Sequence, residues 1–379
     1  MLLVYRRQID LMMPALAVRS NGLRPPENHT SPGCRGVQNP GYGSCMRVLF
    51  RTFFAAITAG ALVASLAAQS SPAILHWQRV SDTPILSPQG NTWESAGTFN
   101  PSVVVFHNKF VMLYRAQDHA GTSRLGYAES TDGIHFRRHP EPVLSPQTDY
   151  EKDGGVEDPR LVKFDDTFYL TYTGYNKRDA QLCMAQSKDL IHWTRLGIIL
   201  PAYQGKWNVR WTKSGAIVPE RIDGKYWMYF LGTSADQTDQ MGLAYSTDLL
   251  HWTEALDQPV LPVRPGKFDS RVAEPGPAPI LTPTGIILLY NGADDHLVYR
   301  TGVAVFDRRD PRHLLTRTSE PIFAPDKDWE KRGQVPNVIF VEGAAPAGDH
   351  YLFYYGGADK YIGVARGDLS PGESPGASQ

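Results

Sequence analysis

Three cysteines in 379 residues are too few for a dense disulfide framework, and no CxxC or HExxH spacing occurs, so neither common zinc pattern is available. The eleven histidines are scattered without ligand spacing. Charge of one sign is also lacking: 38 basic residues stand against 39 acidic ones, for a formal net charge of -1. A generic polyanion binder carries a basic excess, so no nucleic-acid partner is expected. Helical periodicity longer than two turns is missing after residue 76. What is plentiful is glycine (34), proline (29) and aromatic residues (11%), within an ordinary globular mix of 42% apolar and 20% charged residues. That composition suits many short strands joined by turns.

The N-terminal region does not read as folded protein. Residues 1–45 lack sustained periodicity and are expected to be an extension upstream of the true start at Met46. Arg47 and Arg51 then precede an apolar stretch, 53–64, too short to span a bilayer, and Ser65-Leu66-Ala67 offers small residues for cleavage. Residues 46–67 therefore read as a secretory signal peptide, with an uncleaved anchor as the alternative. Export to the periplasm or medium follows, without stable membrane insertion after cleavage. Residues 68–94 read as a lead-in segment, 95–369 as the folded domain and 370–379 as a disordered tail.

The domain repeats itself. Five segments share a strand, a turn and a second strand ending near Tyr-x-Gly: NPSVVVFHNKFVMLYRA, EDPRLVKFDDTFYLTYTG, GAIVPERIDGKYWMYFLG, GPAPILTPTGIILLYNG and VPNVIFVEGAAPAGDHYLFYYGG. Aligning Tyr114, Tyr172, Tyr229, Tyr290 and Tyr354 gives spacings of 58, 57, 61 and 64 by subtraction. A third strand follows each pair, and three repeats continue into DGIHF, DLIHW or DLLHW. Each unit supplies three or four strands that cannot bury both faces alone. Radial packing of five such sheets solves that problem, so the fold is an all-β, five-bladed β-propeller, with a long β-sandwich as the rival.

In a propeller the innermost strands line the axis, and residues at their starts converge. The alignment brings together Asn100, Glu157 and Asp158, Glu220, Glu274, and Asn337. Gly155-Val156-Glu157-Asp158-Pro159-Arg160 clusters two carboxylates and an arginine where Pro159 fixes the backbone; Arg160 reads either as a ligand contact or as a turn-pinning partner. Ala273-Glu274-Pro275 lies two blades on. Opposed carboxylates are what glycoside hydrolysis needs, one protonated as acid and one ionised to activate water. Glu220 is the rival second carboxylate. Arg115, Gln117, Asp118 and His119 follow the first blade's second strand, where they can bind hydroxyls, and Arg210 and Lys213 precede the third blade's first; Asn291, at the end of the fourth blade's second strand, is a further substrate-binding candidate. Asp294, Asp295 and Asp359 end other second strands. The IHW and IHF aromatics repeat and are expected to be core wedges, whereas Trp207 and Trp211 are the stacking candidates for a sugar ring. No metal or cofactor is required by these patterns; Asp294-Asp295 is a faint calcium hint.

As a set, FNPSVV, LYRA, GVEDPRL, IVPERIDGKYWMYF, TGVAVFDRRDPRHLLTRTSEPI and VPNVIF…YYGGAD…IGVA resemble glycoside hydrolase family 130, over about residues 95–369. That family holds mannoside phosphorylases and β-mannosidases on a five-bladed propeller. The resemblance implies that Asp158 is the catalytic acid, that Asn100, Arg115 and Asp359 hold the mannosyl ring, and that Lys213 falls where phosphorylases bind phosphate. Two departures bear on the reaction. Family phosphorylases resemble GAGPPPI where this chain has Glu274-Pro-Gly-Pro-Ala-Pro-Ile, and YHG where it has Tyr290-Asn291-Gly292. A carboxylate beside a phosphate would repel it, while the same carboxylate can activate water. The expectation is an inverting β-mannosidase acting on an oligosaccharide, with Asp158 as acid and Glu274 as base. Two alternatives stand beside it: a phosphorylase using inorganic phosphate as co-substrate, and a non-catalytic glycan-binding propeller.

Overall fold

Alternating apolar and polar residues, punctuated by tight turns, fold each repeat into a four-stranded antiparallel meander. In the computed structural model, which describes residues 74–370, the first blade runs from the inner strand Gly97–Phe106 through Lys109–Gln117 and Ser123–Ser130 to Arg137–Arg138. The second is Gly155–Phe164, Thr167–Tyr175, Ala180–Ser187 and Thr194–Leu200. The third is Thr212–Ile217, Tyr226–Thr233, Asp239–Ser246 and Thr253–Glu254. In the fourth, the inner strand is interrupted into Val272–Pro275 and Ile280–Leu281, followed by Gly285–Ala293, Tyr299–Asp307 and Leu314–Arg317. Ile339–Ala347, His350–Gly357 and Tyr361–Leu369 form the fifth. Its outermost strand is Ile74–Arg79, which pairs antiparallel with Tyr361–Leu369. The protein is thus a five-bladed β-propeller whose ring is closed by a strand from the start of the described chain. The expected lead-in segment therefore contributes a blade strand. Residues 1–45 and the signal-peptide reading at 46–67 lie outside the described residues.

The blades adhere through apolar clusters between their faces. Leu113, Val156, Leu170 and Tyr172 pack between the first and second blades, and Leu182, Ile217, Met228 and Phe230 between the second and third. Burying a side chain of this size stabilises by about 1.5–3 kcal/mol. Phe136, Trp193 and Trp252 of the IHF and IHW turns pack against these clusters, as wedges should. The Asp of each such turn accepts backbone N–H groups two and three residues on and contacts the following His ring.

Each blade has a corner just before its inner strand, where an aromatic is followed by a polar residue. In four blades that residue is a carboxylate accepting from a second-strand tyrosine and an outer-strand arginine. Glu94 binds Tyr114 Oη at 2.9 Å and Arg138 at 2.7 Å. Glu151 binds Tyr172 at 2.8 Å and Arg195 at 2.9 Å. Asp269 binds Tyr290 at 2.7 Å and Arg317 at 2.6 Å. Glu330 binds Tyr355 at 3.0 Å and Arg79 at 2.7 Å. In the third blade, Asn208, Phe230 and Glu254 hold the three positions. The equivalent aromatics are therefore Tyr114, Tyr172, Phe230, Tyr290 and Tyr355. Tyr229 and Tyr354, which the sequence alignment chose, lie one residue away and face the opposite side, where they donate to Pro311 O and Gly133 O.

Candidate active site

The inner strands are interrupted near the mouth of the channel. Pairing slips between Phe99 and Pro101, Glu157 and Arg160, Lys213 and Ala216, and Val341 and Gly343. Asn100, Asp158 and Ser214 occupy these bulges in the left-handed region, with φ of 48°, 54° and 56°. A bulge re-aims a side chain, and non-glycine residues held at such φ mark places where position matters more than ease of folding. The fifth blade's bulge lies one residue pair further along, between Val341 opposite Tyr355 and Gly343 opposite Tyr354, and carries Glu342, not Asn337. Asn337 precedes that strand, is half-buried, and serves through its carbonyl, which accepts from Tyr299 N at 3.0 Å. Glu274 pairs with Asn291, as Glu157 pairs with Thr173 and Lys213 with Leu231. It is therefore the counterpart of Glu157 rather than of Asp158.

These strands assemble one buried charged cluster. Arg115 donates to Ser123 Oγ at 2.9 Å, to Asp158 Oδ1 at 2.9 Å and to Glu157 Oε1 at 2.5 Å. Asn100 Nδ2 donates to Glu342 Oε2 at 2.6 Å. The Ser214 hydroxyl donates to Glu274 Oε1, while Glu274 Oε2 is buried without a hydrogen-bond partner. Lys213 is buried in the same cluster, its Nζ 5.7 Å from the Trp211 ring centroid. Ala358 and Asp359 form a left-handed turn at the mouth, which leaves Asp359 half-buried beside Arg115.

Electrostatics distinguish the carboxyls. Burial alone would raise Asp158, but Arg115, Lys213 and Arg160 outweigh it and hold this carboxyl below its usual range. Burial pushes Glu274 up to about 7, against the pull of Arg160, Lys213 and Ser214 and with Asp158 adding to the rise. Burial likewise pushes Glu342 up to about 8, restrained by Arg160 and Asn100 and reinforced by Asp158 and Glu274. Asp359 is raised by desolvation, with Arg115 opposing. Five carboxyls (Glu157, Asp158, Glu274, Glu342, Asp359) meet three cations (Arg115, Arg160, Lys213), so the cluster retains protons near neutrality. Those protons favour Glu274 and Glu342, the reverse of the sequence expectation that Asp158 is protonated and Glu274 ionised.

Other predicted site residues have different duties. Arg160 is buried and crosses the axis: its guanidinium donates to Gly276 O and Pro275 O, both at 2.8 Å, and lies 3.3 Å from Glu342. It holds strands rather than a ligand. The Asn291 amide donates to Val341 O and accepts from Val341 N, each at 2.9 Å, clamping the fourth blade to the fifth. Asp118 accepts from Thr122 N at 3.0 Å and Arg124 at 2.8 Å. Asp294 repeats that arrangement with Val298 and Arg300, so both aspartates cap hairpin loops. Glu220 is exposed and paired with Arg308 at 2.5 Å, away from the cluster. Arg210 donates to Gln237 above Trp211, at the mouth. Trp207 does repeat: it stacks on Phe230 at 6.1 Å, as Trp93 stacks on Tyr114 at 6.3 Å. It is half-buried and packs against the apolar cluster between the second and third blades. Among the described residues, no group of three or more His, Cys, Asp or Glu side chains is arranged to hold a metal ion.

The sequence reading missed Glu342 and Ser214. The signal for Glu342 was a lone carboxylate inside an otherwise apolar strand, Ile339-Phe340-Val341-Glu342.

Comparison with known proteins places the chain in a family. A family profile described as beta-1,4-mannooligosaccharide phosphorylase matches residues 75–370. A 1,2-beta-oligomannan phosphorylase of Thermoanaerobacter sp. (strain X514) is 40% identical over 299 residues, covering 76% of this chain and 96% of the relative. One solved structure, from work stating that the family 130 mannoside phosphorylases contain glycoside hydrolases targeting beta-1,2 mannosidic linkages in Candida mannan, is 37% identical with a TM-score of 0.71. That match covers 80% of this chain and 96% of the other. The beta-1,2-mannobiose phosphorylase of Listeria innocua, solved with beta-1,2-mannobiose, is 25% identical with a TM-score of 0.69 over 77% of this chain and 96% of its own. The chain belongs to glycoside hydrolase family 130, a family of carbohydrate-active enzymes.

Proposed function

We propose that this enzyme cleaves β-mannosides, β-1,2-linked ones first among them, by transfer of the mannosyl group to water. Glu274 carries the reading: a wholly buried carboxyl, held by Ser214 beside Lys213, with one oxygen left without a partner. A group whose pKa is about 7 is matched to general-base work near neutrality. The cluster's acidic excess also disfavours a phosphate dianion. Asn100, Arg115 and Asp359 would hold the mannosyl ring, and Asp158 would protonate the leaving oxygen. The required state, with a proton on Asp158 and Glu274 ionised, has the same net charge as one with that proton on Glu274. It is a redistribution within coupled groups rather than an extra protonation. Attack by water with proton transfer to Glu274 then releases two sugars. Export, read from residues 46–67, belongs to this proposal.

Phosphorolysis is the second reading, and the relatives' names favour it. The matching profile and the Thermoanaerobacter relative are both described as phosphorylases. Lys213 would then meet the phosphate. Membership in an enzyme family leaves the non-catalytic binding propeller without support. Incubation with β-1,2-mannobiose, with and without inorganic phosphate, decides between the two reactions. Free mannose formed without phosphate supports hydrolysis. Mannose-1-phosphate formed only when phosphate is added replaces it with phosphorolysis.

A further inference from the structure

The third blade departs from the other four at the corner leading into its inner strand. The other corners are fixed by an ion-paired carboxylate that also accepts from a tyrosine. Here neutral Asn208 takes the carboxylate's position, Phe230 lacks the hydroxyl, and Glu254 stands where the arginine would be. Asn208 Oδ1 accepts from Arg210 N at 3.2 Å and Thr233 N at 2.9 Å, and Glu254 accepts from Lys206 N at 2.8 Å. The corner itself is therefore fixed by backbone N–H groups donating to Asn208 and Glu254, without the arginine pair that locks its counterparts, while Lys206 Nζ reaches outward to Asp257 at 2.9 Å.

The same segment presents apolar surface. Tyr203 is 53% exposed and Val209 46%. Tyr203 has φ of 62°, a costly conformation for a bulky aromatic residue. It is kept there by Tyr203 N donating to Arg210 O at 2.6 Å and by its hydroxyl donating to Asp179 Oδ1 at 2.8 Å. Both ends of the residue are fixed while the ring faces solvent.

The segment continues directly into the catalytic cluster. Trp211 stands edge-on to Tyr175, with centroids 6.3 Å apart, and has Arg210 at 5.8 Å and Lys213 at 5.7 Å over its ring. Tyr175 in turn feels Glu157 and Arg115, and its buried hydroxyl has no hydrogen-bond partner. Tyr175, Trp211 and Tyr203 thus form a line of aromatic rings, the first within electrostatic reach of Glu157 and Arg115 and the last with its hydroxyl beside Trp211.

We propose that segment 201–210 receives the sugar unit beyond the bond that is cut, with Tyr203 as its stacking platform and Arg210 as a hydroxyl partner. This rests on the mannoside-cleaving reading. A pyranose offers an apolar C–H face to an aromatic ring and hydroxyls to flanking polar groups, the mixture found here. This corner lacks the arginine–carboxylate–tyrosine lock of the other four, and Tyr203 and Lys206 tie it to neighbouring loops instead, through Asp179 and Asp257.

The test uses the full chain with Asp158→Asn, which silences turnover, and measures mannose and β-1,2-mannobiose binding by calorimetry. The disaccharide is expected to bind more tightly than mannose. Adding Tyr203→Ala is expected to weaken the disaccharide about tenfold while leaving mannose unchanged, and Tyr203→Phe to retain most of the difference. A Tyr203→Ala protein that binds both sugars as before, or loses both equally, overturns the platform. A folded Asp158→Asn protein that binds neither sugar overturns the mannoside reading and the platform with it. Melting curves of both Tyr203 variants, expected to match the parent, exclude unfolding as the cause of a loss.

Discussion

Replacing Glu274 with glutamine separates what the residue contributes to chemistry from what it costs the fold. The side chain is fully buried, and its carboxyl is raised from 4.5 to about 7. A raised pKa means that the native state binds this proton more tightly than the unfolded chain does. Between about pH 4.5 and 7 the unfolded state loses the proton first, so stability falls as pH rises through that window and levels off above it. The rise corresponds to about 3 kcal/mol. At about pH 5 the residue is protonated, and glutamine is nearly its isostere, so Glu274→Gln is expected to melt close to the wild type. At about pH 8 the variant escapes the cost of a buried charge and is expected to melt higher, by roughly 5 °C for a domain of this size. Calorimetric scans at the two pH values provide the measurement. Steady-state assays on β-1,2-mannobiose should meanwhile show kcat reduced by about 10²–10⁴, the usual contribution of a general base. A gain in stability with a loss of rate identifies a destabilising group retained for function. Equal melting shifts at both pH values would refute the electrostatic reasoning, and a rate within about tenfold of wild type would move the base elsewhere.

Four further outcomes follow from the same geometry. The wild-type kcat/KM is expected to fall above about pH 8, as Glu342 and Glu274 lose the cluster's protons; Glu342→Gln should displace that limb in a pH–rate profile. Glu220→Gln, at an exposed ion pair, should leave kcat/KM within about twofold. Glu151→Gln strips Arg195 and Tyr172 of their shared anion and should cost about 3 kcal/mol, read as a lower Tm with KM unchanged. Gly276→Ala would place a Cβ 2.8 Å from both Leu289 O and Val341 O, so a loss of about 1–3 kcal/mol is expected in chemical denaturation.

The architecture was legible because a blade is a repeated unit, and repetition survives errors of detail. The detail slipped where two aromatics are adjacent: Tyr229-Phe230 and Tyr354-Tyr355 are all apolar, and only the backbone register decides which face each takes. Ile74–Arg79 escaped notice because its partner strand, Tyr361–Leu369, lies at the other end of the chain. The corner carboxylates were present in the sequence as Trp93-Glu94, Tyr150-Glu151, Phe268-Asp269 and Trp329-Glu330, with Trp207-Asn208 as the exception. They went unread because their tyrosine and arginine partners are defined only once the strands pair. Within the site, the meeting of Asn100, Glu157, Asp158 and Glu274 could be anticipated from strand starts, whereas Glu220 and Asn337, read the same way, lie outside the cluster. The bulges that aim Asn100, Asp158 and Ser214 could not, since local residue type does not reveal a left-handed φ in a strand. Nor does sequence reveal whether a polar side chain will meet a ligand or a backbone group, which is why Arg160 and Asn291 pass for sugar contacts until the strands are in place.

Arg160 explains how Asp158 on the second blade and Glu274 on the fourth, the proposed acid and base, keep their relation. The fourth inner strand cannot run as a continuous ladder: Pro275, Pro277 and Pro279 lack N–H groups, and the strand breaks between Pro275 and Ile280. The short piece carrying Glu274 is held on its own blade by pairing with Gly285–Ala293 and by Gly276 N donating to Leu289 O at 2.9 Å. Arg160 adds a restraint from across the axis by donating to the carbonyls of Pro275 and Gly276, immediately after Glu274. Asp158 precedes Arg160 by two residues on one strand, and Glu274 precedes Pro275 by one on the other. A single buried side chain thus ties the backbones of both carboxyl-bearing strands together across the axis, and its charge also restrains the rise in the pKa of Glu274 and Glu342. Shortening it would disturb position and protonation together. Under the proposed mechanism, Arg160 would therefore influence the reaction through the strands and carboxyls it holds.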